Sequence, residues 1–371
     1  MRICLVTDTW EPEINGVVRT LRSTAEWLRR WGHEVTIVHP GLFPAVRFPW
    51  YPDIRLALTS SYQLAGPLAW ADAVHLATEG PLGLAARTWL LRQRRRFTTS
   101  YHTDLPAYLW RYLRVPPVLT YRLLRFFHSR SAKVLVSTGS LALRLARWGF
   151  RHLARWGRGV DTHLFRPREG PRPRRSKPLA IYVGRIAVEK NLEAFLTLDR
   201  PVEKLVVGDG PQRCELQRRF PHIPFVGAKH GPELAAIYAD ADVLVFPSRT
   251  DTFGLVMLES LACGTPVAAY PVAGPLDIIG TNPLLGALHE DLGQALDQCL
   301  ERADRAACRA FALQHSWEAC TRQFLSHLAD ESRGRLWSGR AAKRRPPASG
   351  LVQEAMRSLP QEVELGSEIA P

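Results

Sequence analysis

The chain has 371 residues, 46% of them apolar, and its 49 Lys and Arg against 35 Asp and Glu give a formal charge of +14. That length and apolar content exclude a mostly disordered chain and suggest two domains, each with its own core. The six cysteines, Cys4, Cys214, Cys263, Cys299, Cys308 and Cys320, form no Cys-x-x-Cys pair, so they read as buried thiols and indicate neither a zinc site nor a disulfide framework.

In chain order, Met1 leads directly into an apolar strand, Arg2 to Thr7, without a basic n-region and apolar h-region. No apolar run approaches the roughly 20 residues that span a bilayer, so the expected location is the cytoplasm, with peripheral attachment to the inner membrane face. The strand ICLVTD is followed by a helix through Leu21 to Trp31, then by EVTIVHP, IRLAL, AVHLA, a helix near Leu82 to Leu91, FTTSYH and KVLVST. Alternating strands and helices predict a doubly wound α/β domain over 1–165. The run FRPREGPRPRRSKP (165–178) can continue neither a helix nor a central strand, and 166–178 reads as a linker. A second alternation, LAIYVG, KLVVGDG, PFVGA, DVLVFPS and PVAAYP, predicts a second Rossmann-like domain over 179–315 facing the first across a cleft. The segment SWEACTRQFLSHL (316–328) has an amphipathic helical pattern. From Ala329 the chain turns basic and Pro-rich, then acidic, and 329–371 reads as a disordered tail.

Several strand ends carry chemistry. Gly16 opens a helix after the first strand, where a glycine lets a phosphate approach the backbone or simply eases the helix start. The dinucleotide fingerprint G-x-G-x-x-G is absent from this turn, which argues against an NAD enzyme. His102 stands just past a strand, in Ser100-Tyr101-His102-Thr103-Asp104, with Asp104 a weaker candidate for contacting an acceptor. Arg87, Arg92, Arg94, Arg95, Arg96, Arg111, Arg114, Arg122, Arg125 and Arg130 are interleaved with Trp89, Trp110, Tyr112, Phe126 and Phe127, a pattern suited to an anionic membrane. Nucleic acid is the rival for so basic a chain, but no helix-turn-helix, zinc-finger or RNP-like motif supports it; a basic surface without a partner is the plain alternative.

In the second half, Arg185 and Lys190 follow a strand in a loop that enters a helix, where cations are either solvated or placed on an anionic ligand. Gly208-Asp209-Gly210-Pro211 reads as a structural tight turn. Asp240-Ala241-Asp242 imitates a metal-binding Asp-x-Asp but lies between a helix and a buried strand, so no metal role is assigned. In FPSRTDTFGLVMLESLACGTPVAA (246–269), Gly254 opens a helix that ends at Gly264. The first amides of that helix, at Gly254 and Leu255, suit a phosphate, while Asp251 and Glu259 can accept hydrogen bonds from hydroxyls, a combination fitting a sugar-phosphate ligand. The alternative is that Asp251 caps the helix and Glu259 lies on a solvated face.

Asp251 and Glu259, with seven residues between them including Phe253-Gly254, resemble the E-x7-E signature of retaining glycosyltransferases of family 4. Thr250-Asp251-Thr252-Phe253-Gly254 is similar to the branch that holds GDP-mannose-dependent mannosyltransferases and plant-type sulfoquinovosyltransferases acting on lipids. The sequence departs from the family at Asp251, where Glu is usual, and at Asn15-Gly16, where the family shows Gly-Gly. The resemblance covers Met1 to about Leu328 and implies the GT-B architecture, with a C-terminal helix crossing back to the first domain. It implies that Arg185 and Lys190 hold the diphosphate, Glu259 the ribose, Asp251 the sugar hydroxyls, that Gly16 admits the phosphates, and that His102 contacts the transferred sugar. No cofactor or metal is then required, because fixed cations stabilise the departing nucleoside diphosphate. The expected partners are a nucleotide-sugar donor, most simply GDP-mannose, a lipid or glycolipid acceptor and an anionic membrane, and no nucleic acid. A UDP-sugar transferase, sulfoquinovosyl or glucosyl, and a noncatalytic nucleotide-sugar-binding protein are the alternatives.

Overall fold

The computed structural model describes residues 1–332 apart from 14, 49–50 and 252. The elements in chain order are β1 (Arg2–Val6), α1 (Gly16–Arg30), β2 (Glu34–Val38), β3 (Ala45–Phe48), β4 (Tyr51–Ala57), α2 (Ala65–Trp70), β5 (Ala73–Leu76), α3 (Pro81–Arg92), β6 (Thr98–Tyr101), α4 (Leu105–Leu113), α5 (Pro117–His128), β7 (Val134–Val136), α6 (Gly139–Arg147) and β8 (Leu153–Arg155). They continue as β9 (Leu179–Val183), α7 (Leu192–Leu196), β10 (Glu203–Val207), α8 (Arg213–Arg219), α9 (Gly231–Asp240), β11 (Val243–Phe246), α10 (Leu255–Ala262), β12 (Val267–Ala269), α11 (Ala273–Ile278), β13 (Gly286–Leu288), α12 (Leu292–Arg302), α13 (Arg305–Leu313) and α14 (Trp317–Ser332). Two compact units result, Met1–Gly157 together with the chain from Glu318, and Arg158–Trp317.

The first unit holds a parallel six-stranded sheet in the order β2-β1-β5-β6-β7-β8. Strand β1 pairs with β2 on one side and β5 on the other, so the strand order reverses at β1. Its central strands are buried on both faces, which is why ICLV and AVHL read as nearly unbroken apolar runs. The second unit repeats the scheme with five parallel strands, β10-β9-β11-β12-β13, around a core that includes Ile181, Tyr238, Leu258 and Val267. Both are doubly wound α/β units.

Three expectations need correction. IRLAL, read as a strand of the first sheet, lies in β4, which pairs antiparallel with β3 in a separate hairpin. Strand β3 takes up the connection from β2 to β4, which leaves no room for the helical crossover that a parallel neighbour needs. PFVGA forms only a single parallel bridge, Phe225 to Val206, because Pro224 has no amide to donate and Gly227, at φ 77°, turns the chain away. Of the tail expected over 329–371, residues 329–332 are the end of α14, and 333–371 lie outside the described residues.

The run 166–178 counts with the second unit and is held by ion pairs, Arg168 to Asp240 at 3.0 Å, Arg172 to Asp242 at 2.7 Å and Arg175 to Glu203 at 3.1 Å. Asp242 also accepts from the Leu179 amide at 2.7 Å, so the Asp-x-Asp carboxylates serve the chain's own arginines and backbone. From Glu318 onward α14 belongs to the first unit. No described helix is long and apolar enough to cross a membrane.

Candidate active site

In the second unit, β9 ends in the loop that carries Arg185 and Lys190. Tyr182, buried at the strand end, donates its hydroxyl to the Arg185 carbonyl at 2.7 Å and fixes the loop's first turn. The loop after β10 packs against it so closely that a Cβ on Gly208, at φ 145°, would lie 1.8 Å from the Gly184 carbonyl oxygen. The Gly-Asp-Gly-Pro turn is therefore structural, as its sequence suggested, and it holds the Arg185 loop through Ile186 N to Asp209 O at 2.8 Å.

The loop after β11 is tied to the same segment. Asn191, left-handed at φ 54°, donates its side-chain amide to the Pro247 carbonyl at 3.2 Å, and the Thr250 hydroxyl donates to the Glu189 carbonyl at 3.3 Å. These bonds bring Lys190 Nζ to 2.5 Å from Asp251 Oδ1, with about a fifth of each side chain exposed. Asp251 does not cap α10. Gly254 stands at the N-cap, φ 85°, where a Cβ would meet Met257 Cε at 2.8 Å and Phe246 Cζ at 2.9 Å, and as a glycine it has no side chain to bond the first amides of α10. Two turns along, Glu259 is 5% exposed and accepts from the buried Tyr238 hydroxyl at 3.1 Å, so it is not on a solvated face. Arg185, Lys190 and Asp251 thus share two interlocked loops, and α10 carries Leu255 and Glu259.

The first unit holds Gly16, His102 and Asp104. Gly16 begins α1, but the Asn15 side chain at the N-cap accepts from the Val17 and Val18 amides, both at 3.0 Å. The departure from Gly-Gly to Asn-Gly thus occupies two of the first amides of α1, while Gly16 itself, expected to admit a phosphate close to the backbone, stands at the first position of the helix. Asp8, at the end of β1, accepts from the Thr78 hydroxyl at 2.7 Å and the Leu82 amide at 2.8 Å, supplying the acceptor that Gly80 cannot offer α3; burial pushes its carboxyl pKa up although these bonds pull it down. His102, 9% exposed past the end of β6, meets the Trp156 ring edge to face at 5.5 Å. Asp104 caps α4 through the Ala107 amide and pairs with Arg144 at 2.8 Å.

The basic face loses two members. Arg87 is buried and donates to the carbonyls of Phe126 and Phe127, both at 2.9 Å, and Arg95 donates to those of Leu68 and Ala71. Arg92, Arg94, Arg96, Arg114, Arg122, Arg125 and Arg130 are exposed; the side chains of Arg111 and Tyr112 are outside the described residues. Phe127 is in the core, whereas Leu119, Leu123 and Phe126 on α5 are exposed by 54, 57 and 59% and form one helical stripe beside Arg122 and Arg125, with Trp110 of α4 44% exposed.

Sequence reasoning passed over Tyr182, Tyr238 and Trp156, which bond or wall the candidate residues. Their apolar neighbours mark them only as core, and no spacing in the chain links them to the residues they hold.

The chain matches two family models, residues 14–164 that described as Glycosyltransferase Family 4 and residues 177–302 that described as Glycosyl transferases group 1. It is 30% identical to a GDP-mannose-dependent alpha-mannosyltransferase of Mycobacterium tuberculosis over 90% of this chain and 98% of that one. A sulfoquinovosyl transferase of Arabidopsis thaliana is 31% identical over 72% of this chain and 58% of its own. An alpha-monoglucosyldiacylglycerol synthase of Streptococcus pneumoniae is 28% identical over 81% and 78%. Among solved structures, sucrose-phosphate synthase from Thermosynechococcus elongatus superposes with a TM-score of 0.68 over 89% of this chain and 98% of that one, at 22% identity.

Proposed function

Because the chain belongs to glycosyltransferase family 4 and is a glycosyltransferase of GT-B fold, we propose that it moves mannose from GDP-mannose, with retention at the anomeric carbon, to a lipid or glycolipid acceptor. The observation that carries this reading is the interlocked pair of loops that sets Arg185, Lys190 and Asp251 together at the strand ends of the second unit. Arg185 and Lys190 grip the diphosphate, and their hold tightens as the glycosidic bond breaks and the leaving group gains charge. Asp251 takes hydroxyls of the transferred sugar, exchanging Lys190 for them in part, and Glu259 takes the ribose. His102 contacts the transferred sugar. The leaving phosphate accepts the acceptor's proton on the same face, and no metal is needed. The names of three related mannosyltransferases support GDP-mannose as donor. The exposed stripe of Leu119, Leu123 and Phe126 between arginines supports an acceptor met at an anionic membrane.

Thermal stabilisation by GDP-mannose, UDP-glucose, UDP-sulfoquinovose and NAD in parallel tests this reading, since a ligand that binds only the folded state raises Tm. A shift with GDP-mannose alone is expected. A shift with UDP-sulfoquinovose alone would favour the second reading, to which the sulfoquinovosyl relative points, and NAD alone would overturn both.

A further inference from the structure

Trp156 is fully buried just past β8 and touches three rings: His102 at 5.5 Å, His75 at 5.6 Å and Phe324 at 4.7 Å. Phe324 is equally buried, on α14, and meets His75 edge to face at 4.9 Å. The backbone on both sides of Trp156 is bonded to that same helix. His327 Nε2 lies 2.7 Å from the Arg155 carbonyl, the Gly157 amide donates to Gln323 Oε1 at 2.8 Å, and Cys320 Sγ donates to the Gly157 carbonyl at 3.1 Å. Positions 320, 323, 324 and 327 form one face of α14, so a single helical surface clamps residues 155–157 and seats a ring on the tryptophan between them.

We propose that Phe324 and Trp156 are positioning residues for His102: α14 sets the Trp156 ring, and that ring fixes the orientation in which His102 is presented. The proposal rests on His102 as the residue that contacts the transferred sugar. Close-packed aromatic side chains have few alternative rotamers, so a gap on the Phe324 side of Trp156 lets its indole tilt and releases the imidazole it walls. A reacting group displaced by about 1 Å costs on the order of a hundredfold in rate, which gives a core contact a catalytic effect. The last helix thereby becomes part of the active-site support, through the contacts of Phe324 with the Trp156 and His75 rings.

The test uses the full chain labelled with 13C-histidine, in which the His102 ring signal is assigned by its loss in His102→Gln. In Phe324→Leu, and to a smaller extent in Gln323→Ala, which leaves the rings in place, that signal moves while those of the exposed His222 and His230 stay. Hydrolysis of GDP-mannose or UDP-glucose at saturation falls about tenfold or more in Phe324→Leu, with KM unchanged. A purely structural Phe324 would lower Tm and move neither readout; that result in a folded variant overturns the proposal. If the His102 signal moves but His102→Gln hydrolyses donor at the wild-type rate, the coupling stands and the role given to His102 is what fails.

Discussion

Lys190 and Asp251 hold each other, Nζ to Oδ1 at 2.5 Å, although they come from the loops of two different strands. A cation expected to grip a diphosphate and a carboxylate expected to grip sugar hydroxyls are thus each other's partner. In the donor site proposed above, the pair pre-organises both groups and the donor shares them. Lys190→Gln and Asp251→Asn are each expected to lower transfer by about a hundredfold or more. Because each single change already breaks the pair, the double variant should lose much less than the product of the two, which a double-mutant cycle on kcat/KM measures.

Glu259 is a buried carboxylate that accepts from the Tyr238 hydroxyl at 3.1 Å. Removing the hydroxyl takes a hydrogen bond from a desolvated, charged acceptor, so Tyr238→Phe should cost about 1–3 kcal/mol in urea unfolding. Glu259→Ala should raise the donor KM, visible as lost turnover at low donor concentration; full turnover there would refute the ribose assignment.

Arg2 ties the first strand to the start of β5 by donating from its amide and its guanidinium to Asp72, both at 2.7 Å. These bonds hold the Asp72 carboxyl below its ordinary 3.8. A depressed folded-state value means the contribution is present above 3.8 and disappears as pH falls through the lowered value. Asp72→Asn should therefore lose about 2–4 °C of Tm at most at pH 7, given the exposure of the pair, and the gap to wild type should close below pH 3.8.

The α5 stripe should be the part of the first unit that meets lipid. Leu119→Ser with Leu123→Ser removes exposed apolar surface without touching the core, so Tm should hold while flotation with phosphatidylglycerol vesicles drops severalfold. Binding that persists unchanged would move the membrane contact elsewhere.

The sequence by itself determined the fold class and the family. Strands buried on both faces are continuous apolar runs, as in ICLV, AVHL and VLVF, and the spacing from Asp251 to Glu259, like the run from Gly184 to Asn191, is local enough to read along the chain. It did not separate β4 from the sheet, because alternation marks a strand and says nothing about its partner. It also miscounted the basic face. Arg87 and Arg95 look like their exposed neighbours in sequence, and only packing turned them inward onto backbone carbonyls.

What tertiary structure alone decided is which groups meet. The Lys190–Asp251 pair, the Tyr238 bond to Glu259 and the stack of His102, Trp156 and Phe324 each join residues distant in the chain. Such contacts are set by how parallel strands and their crossovers bring loop ends and helix faces against one another, and that is a property of topology and packing which no local spacing encodes.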